Sequence, residues 1–148
     1  MRPGVQAVFQ KMAQDLVERV IPAISPSYHQ GTVGMIAAML AMVSEEWDRA
    51  ASRRAEENDR LRELFRDAAP VVENADLKRR LLELAKTQDR DLRVSALEAN
   101  NCALRVALID LHSKIERQKG PAARKVEDAI WKELVRSTER RRFSTAPF

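Results

Sequence analysis

At 148 residues the chain is long enough to bury a substantial core within one domain. Hydrophobic residues make up 45% and charged residues 32%, a balance that excludes both a disordered and a membrane-embedded composition. The net charge of +4 argues little for an anionic partner, because acids and bases alternate as on solvated helix faces, and the excess gathers at Arg140, Arg141 and Arg142.

Few glycines and prolines interrupt the long periodic runs, so an all-α fold is expected. Cys102 is the sole cysteine, which rules out an intrachain disulfide and suits a reducing, cytoplasmic setting. Lys11, Asp15, Glu18 and Arg19 break up the apolar residues that a signal peptide would need. The most apolar stretch, 33–43, has about half the length of a membrane span and runs into Glu45 and Glu46. No membrane association is expected.

The first helix is expected over residues 3–21. Pro3 suits the first helical position, and Val5, Val8, Phe9, Met12, Leu16 and Val20 form one stripe. Pro22 and Pro26 bracket a stiff connector. The second helix is expected over 30–66, with Ile36, Leu40, Val43, Trp47 and Ala50 in a four-three pattern and Leu61, Leu64 and Phe65 resuming it later. Gly34, Ala37, Ala38 and Ala41 would let a neighbouring helix approach closely. Pro70 ends this helix. A third helix is expected over 75–119, capped by Asn74 or Asp76 and stopped by Gly120-Pro121.

The third helix opens with Leu77, Leu81 and Leu84, passes through the polar run 87–91, and then carries a heptad seam. Asn101, Leu108 and Ile115 occupy a positions, and Leu97, Leu104 and Leu111 occupy d positions. Leu84 and Leu97 are 13 residues apart, so the seam must shift phase between them. The fourth helix is expected over 121–141, with Val126, Ile130, Trp131, Leu134 and Val135 on one side. Residues 142–148 are expected to fray.

These elements assemble into an antiparallel four-helix bundle, with two long central helices as an extended hairpin and two shorter flanking helices. A turn near residue 72 sets Trp47 near Leu97, Val43 near Asn101 and Leu40 near Leu104. The short helices cover one half of the hairpin. The other half carries Leu61, Leu64, Phe65, Leu77, Leu81 and Leu84, which two helices alone bury poorly. Those six residues are therefore assigned to a homodimer interface across a two-fold axis, the alternative being that the long helices bend and the chain covers its own tip.

Chemistry-bearing motifs are sparse. The carboxylate pairs Glu45 with Asp48 and Glu56 with Asp59 fall on outward positions and read as solvated. His29 and His112, with Asp110 or Glu116, are the only candidates for a transition-metal site. His112 and Glu116 are equally explained as a helix-surface pair, and His29 as a residue at a helix start. Asn101 reads as a buried amide that fixes register. Cys102 reads as a small core or interfacial residue, and Trp47 and Trp131 read as core. The layer of Arg53, Arg54, Glu57 and Asn58 against residues 88–91 reads either as a closely paired buried ion network or as a solvated waist, the latter favoured. Phosphate loops, zinc-ligand spacings and nucleophile elbows are absent from the sequence, so no cofactor is expected.

The succession Ile21-Pro22, Tyr28-His29, the alanine-rich 37–41, Glu45-Glu46 and Leu61 resembles an uncharacterised family of small helical bacterial proteins. That resemblance implies no activity. The functional expectation is a non-enzymatic, self-associating protein-interaction module. The alternatives are a carboxylate-based metal-binding bundle or hydrolase, using Glu45, Glu46, Glu98 and the histidines, and a nucleic-acid-associated protein acting through Arg140 to Arg142.

Overall fold

The computed structural model describes residues 4–144. Among them the secondary structure is helical, with no strand. Helix α1 spans Val5–Asp15 and runs on through a π-helical turn, Leu16–Val20, and a 3-10 turn, Ile21–Ala23. Pro22 lacks the N–H that a continuing ladder requires, so the chain leaves the helix there. Helices α2 (Ser27–Ala68), α3 (Ala75–Ala85), α4 (Val94–Ile115) and α5 (Pro121–Arg141) follow. Pro3 and residues 145–148 of the expected tail lie outside the described residues.

The fold is all-α, but with five α-helices where the sequence reading has four. The expected third helix is interrupted at residues 86–93, and the phase slip explains the break. In one continuous helix, Leu97 would lie about 140° around the axis from Leu84. Interrupting the helix lets Leu81 and Leu97, both 0% exposed, reach the interior. Side chains secure both ends of the interruption. Thr87 Oγ1 donates to the Leu84 carbonyl at 2.7 Å, and Asp91 Oδ1 accepts from the Arg93 N–H at 3.0 Å. Asn74 caps α3 by accepting from the Leu77 N–H at 2.8 Å.

The described chain divides into two compact units, residues 4–50 with 143–144, and Ala51–Arg142. Helix α2 supplies its first part to one and its second part to the other.

The second unit holds a large apolar core. Leu61, Leu64, Phe65 and Ala68 of α2 pack with Leu77 and Leu81 of α3, Leu104 to Ile115 of α4, and Ala123, Val126 and Ile130 of α5. This corrects the placement of the six residues assigned to a dimer interface. Leu61, Leu64, Phe65, Leu77 and Leu81 are buried within one chain, and Leu84 packs against them partly buried. Helices α4 and α5 share this core, with α4 packed on α3, so the residues expected to project are covered within the chain.

The register also differs from the expected one. Asn101 meets Asn58 rather than Val43, the Leu97 carbonyl accepts from Asn58 Nδ2 at 3.2 Å, and Leu104 joins Leu61 and Leu64. The expected register assumed one turn near residue 72. The interruption at 86–93 adds a second reversal and moves the pairing along α2.

The first unit is built differently. Ser44 Oγ donates to the Gln6 carbonyl at 3.2 Å, joining α2 to α1, and Gln30 Nε2 donates to the Ile24 carbonyl at 2.9 Å across the connector. The buried residues here are Ala37, Ser44 and Ala50, and α1 contributes none. No large apolar side chain in this unit is buried.

Candidate functional site

Two features beyond ordinary packing stand out: a buried polar network in the second unit and an exposed apolar strip on the first. The network begins at Asn101, which is 1% exposed. Its amide donates to Asn58 Oδ1 at 2.9 Å, and Asn58 in turn donates to Asp89 Oδ2 at 3.0 Å. Asp89 accepts from Arg62 Nη1 and Nη2, at 3.0 and 2.7 Å, and from Asn100 Nδ2 at 2.7 Å. Arg62 Nε donates to Thr87 Oγ1 at 3.1 Å. The side chains of Arg62 and Asp89 are only 5% and 6% exposed. The layer read from sequence as a solvated waist is therefore closed at its centre.

Electrostatics explain how this layer tolerates burial. Desolvation pushes the Asp89 carboxyl up, but the hydrogen bonds from Arg62, Asn58 and Asn100 and the charge of Arg62 outweigh it, holding the group below its ordinary value. The Arg62 guanidinium is held above its ordinary value, chiefly by its hydrogen bond to Asp89. A second buried acid, Glu57, ties three helices together. It accepts from Arg105 on α4 at 2.8 Å, and from Ser137 and Arg141 on α5 at 3.2 and 2.9 Å. Burial raises this carboxyl too, yet Arg141 and Arg105 bring it below the ordinary range. Asn58, Arg62, Asp89 and Glu57 are thus each matched by hydrogen bonds or ion pairs within the protein.

The metal candidates do not converge. Among the described residues no group of three or more His, Cys, Asp or Glu side chains is arranged to hold an ion. His112 Nε2 lies 3.4 Å from Glu116 Oε1, in ion-pair range but without hydrogen-bond geometry, and its ring meets Trp131 edge-on at 5.2 Å. His29 makes an edge contact with Tyr28 at 5.6 Å. Glu45 accepts from the Ser144 N–H and hydroxyl and pairs with Arg49. The Ser144 hydroxyl bond is the main cause of a carboxyl held below its ordinary value. Glu98 pairs with Arg54. Arg140 is engaged by Glu133 and Glu56, and Arg141 by Glu57, so this part of the basic run is tied into ion pairs.

Trp47 and Trp131 are 62% and 52% exposed, which corrects their reading as core, and Cys102 is exposed, which removes only the core half of its reading. A cleft of about 590 Å³ at the α2–α5 corner is lined by Leu64, Asp67, Pro70, Val71, Lys125 and neighbouring residues, with no histidine, cysteine or hydroxyl side chain among them.

The strip lies on the first part of α2. Met35, Ile36, Met39, Met42, Val43 and Trp47 are 37–62% exposed. At 100° per residue they span about 140° of one face, and Met39 near its middle lies about 140 to 160° around the helix from the buried Ala37 and Ser44, the latter bonded to α1. The sequence reading took Ile36, Val43 and Trp47 as seam residues and passed over the methionines. Their i, i+4, i+7 spacing at 35, 39 and 42 was the available signal. Of the large apolar residues exposed in the described chain, twelve belong to this unit and seven to the other. A smaller patch on the second unit comprises Val106 and Ile109 of α4 and Trp131 and Val135 of α5.

No family model, curated protein or solved structure matches this chain. Among the described residues, no helix is long and apolar enough to cross a membrane.

Proposed function

We propose that this chain is a non-enzymatic helical module whose activity is protein–protein contact, beginning with self-association. One observation carries the reading. Among its described residues the first unit buries no large apolar side chain, while a face of six such residues stands exposed on α2. A surface of this kind lowers its free energy by meeting another apolar surface. The second unit, by contrast, has a large apolar core and polar clusters paired within the chain.

The experiment is light scattering on the full chain, from a few to several hundred micromolar. Mass rising above the 16.8 kDa of one chain supports the reading. A constant single-chain mass across the whole range overturns it. The metal-binding and nucleic-acid alternatives have no comparable support, because the histidines do not gather with a third ligand and the basic C-terminal residues Arg140 and Arg141 are paired with acids.

A further inference from the structure

Resting on that reading, we infer that the partner of the α2 strip is the same strip of a second copy, laid antiparallel across a two-fold axis at Met39. The sequence positions of the exposed residues are self-complementary about that point. Reversing α2 about Met39 brings Ile36 to within one residue, about 1.5 Å, of Val43 and Met35 to within one residue of Met42, while Met39 meets itself. In a two-fold antiparallel pair, residues on one side of the contact line meet residues on the same side in the other copy. Ile36 and Val43 share one side of the line through Met39, and Met35 and Met42 share the other. Both pairs thus satisfy the symmetry, and His29 falls across from Trp47 on the outer rim.

Charge and area agree with this occupant. Residues 27–44 contain no Asp, Glu, Lys or Arg, so two copies meet without like-charge repulsion over the centre of the contact. The same lack of charge gives an anionic membrane or nucleic acid nothing to recognise there. The six side chains expose an area on the order of 600 Å² per copy, close to the roughly 800 Å² per partner of a standard interface once neighbouring rim atoms are included. Methionine fills irregular gaps well, so a seam with three of them tolerates imperfect interdigitation.

Single-cysteine cross-linking tests the register. In a Cys102→Ser background, Met39→Cys and Met35→Cys are oxidised mildly and run on non-reducing gels, with helicity checked by circular dichroism. Both positions are more than half exposed, so each cysteine leaves the folded chain intact. Met39 sits on the axis. Two copies of residue 35 would lie about 12 Å apart along the helices, beyond the roughly 7 Å limit between Cα atoms of a disulfide. The expected result is about tenfold more covalent dimer from Met39→Cys than from Met35→Cys. Equal cross-linking at both positions would mean a parallel pair and overturn the inference. Cross-linking at neither, with solution mass still doubling, would also overturn it while leaving self-association standing through another face. Solution mass that never rises would remove the self-association reading as well.

Discussion

Replacing Asp89 with alanine probes the buried joint most directly. Asp89 receives four hydrogen bonds, two from Arg62 and one each from Asn58 and Asn100. Its loss strands a guanidinium that is 5% exposed, with Thr87 and the largely exposed Asp59 as its remaining partners. Breaking a buried pair by removing one member costs about 3–5 kcal/mol. The surviving bond to Asp59 places this case near the lower end, at about 3 kcal/mol. For a unit of roughly 90 residues that corresponds to a melting temperature lowered by about 12–20 °C.

Urea unfolding followed by circular dichroism reads the change, with an unaltered denaturant slope confirming that the loss is one of stability. Adding Arg62→Met to Asp89→Ala removes the stranded charge, so the double variant is expected to lose less than the sum of the singles. If Asp89→Ala costs less than about 1 kcal/mol, the pair behaves as an exposed one and the reasoning fails.

Acid unfolding follows from the same groups. The carboxyls of Asp89 and Glu57 lie below their ordinary values in the folded protein, so the stability they contribute is complete above the ordinary carboxylate range and is lost as pH falls through their depressed values. The acid midpoint should fall below about pH 4, and Asp89→Ala should flatten the dependence there. Leu81→Ala should cost about 2–5 kcal/mol and leave the solution mass unchanged, because Leu81 is 0% exposed within one chain. A lowered mass at full stability would restore the arm as an assembly surface. Gly120 has φ of 115° with open space where a Cβ would sit, so Gly120→Ala should lower stability by about 1–3 kcal/mol through backbone strain alone, measured by urea unfolding. Gly34→Ala should do the reverse. An added Cβ meets Ile21 Cδ1 at an ordinary 3.9 Å, and alanine gains up to about 1 kcal/mol in a helix interior.

The periodicity of apolar residues was enough to read the all-α class, the helix breakers at Pro22, Pro70 and Gly120, the Asn74 cap and the α4 seam around Asn101. Those are local properties, set by side-chain spacing and by which residues can donate a backbone N–H or adopt an unusual φ. The slip between Leu84 and Leu97 was legible too, but spacing alone does not say whether a helix absorbs it or breaks. The structure breaks it, since Asp89 must turn inward to meet Arg62, an acceptor and a donor 27 residues apart. That pairing then sets which part of α2 faces α4, and it closes the polar layer. Burial was the other quantity that tertiary contact alone decided. Leu61, Leu81 and Trp47 sit in similar apolar patterns along the chain, yet the first two are buried in the core of the second unit and Trp47 remains exposed on a unit whose buried positions are alanine and serine. An apolar stripe states that a face needs a partner, and only the packed structure shows whether that partner lies in the same chain.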